Sequence, residues 1–252
     1  MFYRRLSDHL KQQNWLAAGI DLVIVVLGIL IGLQINAWHE QNKERQLEVV
    51  YLNRFASEIK TDIQFFNENR EKNNIRVERI LLIIDAVENG FNKDRKELVY
   101  LLKSIKRIEI LRRAFAGSAT WDELVSTGRI DLITDVELKA RMSEYYQYYR
   151  RMSAHGEVWK NTEIRYDTLV DGWFSLEQVK HYANQDFDRL SNQDLIQILD
   201  KALADKEFLS VLSSLTRKYY LLNRINERDK QRTVALLNEI EQVLARKNKA
   251  SD

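Results

Sequence analysis

The sequence predicts an all-α protein: an N-terminal transmembrane helix continuing into a soluble helical bundle. Three observations predict it. Proline is absent and glycine occurs only eight times in 252 residues, so the turn residues that sheets and long loops require are missing. Apolar residues recur at threes and fours along most of the chain, the period of helices that bury one face. Finally, Leu22 to Leu33 is a run of twelve residues without a charge, a hydroxyl or an amide.

In chain order, residues 1–14 read as an amphipathic lead-in. Phe2, Leu6 and Leu10 fall on one face, which suits a stretch lying along a membrane surface. Residues 15–38 form the expected anchor. Twelve apolar residues alone are too few to span a bilayer, but the flanks extend the run to Trp15 and Trp38. At ~1.5 Å per residue the two indoles stand roughly 35 Å apart, one at each headgroup level. Arg4, Arg5 and Lys11 before an apolar run also resemble a secretory signal, yet Ile35-Asn36-Ala37 lacks the small-x-small pattern of a cleavage site. An uncleaved single-pass anchor follows. Its flanking cations nearly balance, with Lys43, Arg45 and Arg54 on the far side. The denser N-terminal charge favours a cytoplasmic N-terminus and a body outside.

Three features mark the anchor. Gly28 and Gly32 form a GxxxG pattern that lets a second helix approach closely, a self-association face unless the glycines are merely typical of membrane helices. Asp21 is an intramembrane acid, which must face a partner or water, or else sit protonated or near the interface. Gln34 and Asn36 can hydrogen-bond across a helix pair.

Residues 39–246 are expected to form the helical body. Val49, Leu52, Phe55, Ile59, Ile63 and Phe66 make a stripe that fails at Arg70 to Asn74 and resumes at Val77. This predicts either two helices, about 40–67 and 75–89, or one rod. Asn89-Gly90 is a turn, and Asp94 with Glu97 caps a helix to about Ile108. Thr120-Trp121-Asp122-Glu123 and Thr134-Asp135-Val136-Glu137 read as capping boxes, with Gly128 ending the first helix. The second carries Leu138, Met142, Tyr145, Tyr146 and Tyr149 towards Val170, and Asp171-Gly172 breaks it. Ser175 and Ser191 open two more helices by the same device. A last helix, Asp205 to about Arg246, shows a near-heptad stripe interrupted by Asn226, Asp229 and Thr233. Residues 247–252 read as a flexible tail.

Charge and composition exclude several functions. Lys plus Arg number 39 against 37 Asp plus Glu, which gives no reason to expect nucleic-acid binding. Without cysteine there are no disulfides, thiolate metal sites or cysteine nucleophiles. His9, His39, His155 and His181 show no zinc-hydrolase spacing. Asn184, Asp186 and Asp188 imitate half a calcium loop but lack its glycine and its final glutamate. No phosphate loop, dinucleotide fingerprint or serine elbow occurs. No catalytic, cofactor-binding or metal-binding residue is therefore assigned. The tyrosines at 145, 146, 148 and 149, with Trp159 and Trp173, read as core and interface rather than a ligand pocket.

The run Gly28-Ile29-Leu30-Ile31-Gly32-Leu33-Gln34-Ile35-Asn36-Ala37-Trp38-His39-Glu40, with Asp21 upstream, resembles the anchor of an uncharacterised bacterial family known only as a domain of unknown function. Its members typically read G-I-L-I-A-L-Q-I-N-N-W-N-E. Thr120-Trp121-Asp122-Glu123-Leu124-Val125-Ser126-Thr127-Gly128 resembles that family's second motif, T-Y-E-E-L-x-S-S-G. Gly32, Ala37, His39 and Trp121 depart from the pattern. The resemblance implies a small helical protein anchored in the bacterial inner membrane, with no established chemistry. Its motif residues Thr120, Trp121, Glu123, Leu124 and Gly128 read either as pure geometry or as a loop presented to a partner. The expected role is a non-enzymatic sensor, scaffold or accessory subunit in contact with membrane lipid, a homo-oligomer open to a protein partner. The alternatives are a ligand-binding receptor or hydrolase with a pocket near residues 120–149, and a proton- or ion-coupled unit using Asp21.

Overall fold

A computed structural model describes residues 15–108, 117–154 and 160–249, with side chains described over 22–108, 117–152 and 161–249. Within these residues the chain forms eight α-helices and two 3-10 turns, without strands. The lead-in, the side chains of Trp15 and Asp21, His155, Trp159 and residues 250–252 lie outside the described residues.

Of the two alternatives for the first half of the chain, the single rod forms. Helix α1 runs uninterrupted over Trp15–Asn89, 75 residues, which is ~110 Å at helical rise. No glycine or proline falls between Gly32 and Gly90, so nothing inside that stretch breaks the hydrogen-bond ladder. Gly90, at φ +80°, ends it. Then follow α2 (Arg95–Lys106), α3 (Ala119–Ser126), a 3-10 turn at Ile130–Leu132, α4 (Val136–Ala154), α5 (Lys160–Asp171), α6 (Leu176–Ala183), a 3-10 turn at Phe187–Arg189, α7 (Asn192–Ala204) and α8 (Lys206–Lys249).

The caps at Asp94, Ser175 and Ser191 form as the sequence predicts. Asp94 accepts from the Glu97 N–H, and the other two make reciprocal boxes with Gln178 and Asp194. Helix α8 runs beyond Arg246 through Lys249, because Lys247 is held by an ion pair to Glu48 at 2.6 Å.

The largest interface pairs α1 with α8. They run antiparallel, as Glu48–Lys247, Lys60–Glu241 and Arg70–Glu227 show. Two apolar clusters fill the body. One gathers Ile80 and Ile83 of α1 with residues of α2, α5 and α7 and the first half of α8. The other gathers Leu52, Phe55 and Ile59 of α1 with α3, α4 and the second half of α8.

Between the clusters lies a polar layer, and it explains both interruptions in the sequence. The Asn73 amide donates to Asn223 Oδ1 at 3.1 Å, Arg76 donates to Asn73 Oδ1 at 3.1 Å, and Asn223 donates to Asn74 Oδ1 at 2.7 Å. Asn226, Asp229 and Thr233 are buried at the same level of α8. The polar break in the α1 stripe therefore faces the polar break in the α8 stripe. Burying such groups is tolerable only when they find hydrogen bonds. Asn73 finds Asn223 across the pair, and Asp229 and Thr233 find Tyr148 and Tyr145 of α4. Both polar atoms of the Asn226 amide are buried without a hydrogen-bond partner among the described residues.

The first part of α1 packs on none of this. Every residue from Leu22 to Glu40 is exposed, with Leu33 at 64%. It is one helix long and apolar enough to cross a membrane.

Candidate functional site at the motif loop

Carboxylates on α1 organise the loop that carries the second family-like motif. Glu48, Tyr51, Phe55, Glu58 and Asp62 recur at threes and fours, so they share one face of the rod. Asp62 Oδ1 accepts the Gly117 N–H at 2.9 Å. Glu58 Oε1 accepts the Thr120 N–H at 3.1 Å and the Thr120 hydroxyl at 2.5 Å. Glu48 accepts the Thr134 N–H at 2.8 Å. The N–H groups in the first turn of a helix have no intrahelical acceptor and favour negative charge. Here a neighbouring helix supplies that charge to α3.

This corrects the expected capping boxes. Helix α3 is preceded by Ser118, whose side chain makes no cap bond. Thr120 sits inside the helix, and its hydroxyl is taken by Glu58. Glu123 turns to α1 instead of back on its own helix: Tyr51 donates to it at 2.6 Å and Arg54 at 2.7 Å. Those bonds, the Arg54 one first, hold the Glu123 carboxyl below its usual range. Before α4 the capping side chain is Asp135, which accepts the Leu138 N–H at 3.0 Å. Thr134 is occupied by Glu48. Gly128 ends α3 at φ +67°, a conformation that favours glycine.

Trp121 and Leu124 point into the cluster of α1, α3, α4 and α8. Trp121 stacks on Tyr146 with ring centroids 5.1 Å apart and planes at 18°, and Phe55 lies 6.4 Å from Trp121. Tyr145, Tyr146 and Tyr149 are buried beside them. The aromatic run is therefore core. On the outer side, Trp121, Val125, Ile130, Val136 and Ala140 line a shallow groove of about 460 Å³ whose rim includes Lys139 and Arg150.

The carboxylates leave a residue of buried polarity. Asp62 Oδ2, Glu58 Oε2 and the Tyr146 hydroxyl are buried without a hydrogen-bond partner. Burial pushes the Asp62 carboxyl up to about 6 from an ordinary 3.8, and Glu58 pushes the same way. The folded state thus holds the Asp62 proton more tightly than the unfolded chain. Stability should fall as pH rises from about 4 to about 6, and the penalty should persist above that window. Asp62→Asn keeps an acceptor for Gly117 and removes the charge. It is expected to flatten that pH dependence and to raise stability at neutral pH by on the order of 2 kcal/mol. Urea unfolding of both proteins across this pH range checks it.

The anchor residues are not brought to this site. Gly28 and Gly32 have open space around them, and Asn36 and Trp38 are exposed, all on the free end of the rod. Sequence reasoning missed the carboxylate face of α1, since the groups that Glu48, Glu58 and Asp62 meet lie 55 or more residues further along the chain. It also missed a cationic cleft beside α1. Its sequence signal was Lys72, Arg76 and Arg79 at helical spacing, with Lys106-Arg107 ending α2.

A family model described as a family of unknown function (DUF6090) matches residues 21–168. That span contains the apolar stretch, the rest of α1, the motif loop and most of α5. No curated protein and no solved structure matches the chain.

Proposed function

Because the chain belongs to DUF6090, a family of unknown function, we propose that it is a membrane-tethered, non-enzymatic helical protein, a sensor, scaffold or accessory subunit. Its place is the bacterial inner membrane, with the N-terminus cytoplasmic and the body periplasmic. One observation carries this reading: an apolar stretch exposed all round its axis continues without a break into the rod on which the body is built. Water-soluble proteins rarely expose a contiguous apolar surface of that extent, whereas lipid solvates it and the helix satisfies its own backbone. The tether and the scaffold are then one element.

Self-association through Gly28 and Gly32 belongs to this proposal. Their exposed positions, four residues apart, leave room for a second backbone. Exchanging both for leucine is expected to lower dimerisation of the full chain about tenfold in a membrane two-hybrid or detergent crosslinking assay. Equal assembly of the variant would remove that role. Recovery of the full chain as a monodisperse soluble protein without detergent would overturn the tether itself.

The groove beside Trp121 favours a second reading, a receptor that docks a ligand or partner at the motif loop. Its walls are mostly apolar with a cationic rim. Val125→Glu and Val136→Glu, both at exposed positions, should abolish such docking without unfolding the body.

A further inference from the structure

We propose that the cleft between the middle of α1 and the C-terminal end of α2 binds a multiply charged phosphate, such as a diphosphate or a small phosphate ester. The cleft has a volume of about 330 Å³ and is lined by Lys72, Arg76, Arg79, Lys106 and Arg107, with Ile75 and Gln185. Five cations meet there, and no carboxylate lines it among the described residues. Elsewhere in the body arginines meet acids: Arg54 pairs with Glu123, Arg70 with Glu227, Arg141 with Glu239 and Arg165 with Glu207.

Arg79 and Arg107 are different. Arg79 donates to the backbone carbonyl of Arg107 at 3.4 Å, and the Arg107 side chain makes no hydrogen bond or ion pair among the described residues. Arg79 is half-buried. Burial, then the neighbouring charge of Arg107 and of Arg76, weakens its hold on its proton. Holding a half-buried guanidinium beside a second one is unfavourable until an anion arrives, and the planar fork of each matches phosphate oxygens two at a time. Lys72, which also pairs with Glu68 of its own helix at 3.5 Å, and Lys106, whose ammonium lies 4.5 Å over the Tyr182 ring, add point charges, and Ile75 gives an apolar wall. The volume lies at the small end of ligand sites, ~300–1,000 Å³, which fits two linked phosphates or one phosphate on a small carrier.

The same chemistry is found in soluble metabolites and in lipid headgroups. Arg79 lies 41 residues beyond Trp38 on one unbroken helix, roughly 60 Å along its axis. Headgroups of a bilayer spanned by residues 15–38 do not reach that far, so the source is soluble. The source, though not the ligand chemistry, rests on the membrane reading above.

The test is calorimetric titration of the full chain, in a neutral detergent, with inorganic pyrophosphate. Binding that weakens with added salt is expected, with a matching rise in melting temperature. Arg79→Gln and Arg107→Gln should each weaken it at least about tenfold, while the melting temperature without ligand does not fall. Absence of binding, binding unchanged in both variants, or equal binding of citrate would overturn the proposal. Competition by phosphatidylglycerol vesicles would keep the phosphate chemistry and overturn the soluble source. Solubility without detergent would overturn the tether and with it the argument for a soluble source, but not the phosphate chemistry.

Discussion

Replacing Phe55 by alanine is expected to lower the stability of the body by ~3–5 kcal/mol, the cost of removing a fully buried aromatic ring. Phe55 is completely buried and stands where α1, α3 and α4 meet, with ring centroids 6.4 Å from Trp121 and 6.0 Å from Tyr146. Loss of the ring leaves a cavity that neither neighbour can fill, because Trp121 and Tyr146 are already stacked on each other. Urea unfolding should show the midpoint drop, and the near-ultraviolet signal of Trp121 should change with it. Val136→Ala is the matched control: that side chain is 74% exposed, and its truncation should change little.

Glu48→Ala is the second large effect, an expected loss of ~3 kcal/mol. Glu48 is fully buried, and its carboxylate serves three groups from two elements: the Thr134 N–H at 2.8 Å, the Thr134 hydroxyl at 2.9 Å and Lys247 at 2.6 Å. Removing it leaves the Thr134 N–H without its acceptor and the Lys247 ammonium, which also donates to the Thr134 hydroxyl at 2.9 Å, without this counter-charge, and such a broken pair costs more than the intact pair contributes. Glu48→Gln should recover part of the loss, since an amide oxygen can still accept from Thr134. A double-mutant cycle with Lys247→Ala measures the coupling; near-additive losses would show that Lys247 and Glu48 do not depend on each other.

The fold class was legible because helix signals here are local. Without prolines, and with few glycines, Gly90, Gly128 and Gly172 stand out as stops, and Asp94, Ser175 and Ser191 stand out as starts. Each depends on residues within four positions, which a sequence displays directly. What could not be read was every feature made by residues far apart in the chain. Thr120 to Glu123 has the letters of a capping box, but Glu58, 62 residues earlier, competes for the threonine, and Tyr51 and Arg54 compete for the glutamate. A carboxylate on a neighbouring rod outbids the local partner because it satisfies the threonine N–H and hydroxyl together. The break at Arg70 to Asn74 looked like the end of a helix for the same reason. Within it Asn73 is fully buried, and its partner Asn223 lies 150 residues away on α8. The cationic cleft likewise needs α2 folded against α1 before five scattered charges become one site.

The polar layer between the two apolar clusters also works as an index mark. Antiparallel helices this long could slide past one another by a turn, ~5.4 Å, and still press leucine on leucine. Such a slip would carry Asn73 away from Asn223 and Arg70 away from Glu227, and would pull Arg76 off the Tyr219 ring that its guanidinium covers at 5.9 Å. Only one alignment lets Asn73 find Asn223 and Arg70 find Glu227 at once. The chain thereby gives up some greasy contact at its waist and obtains a single vernier setting for the whole length of the pair.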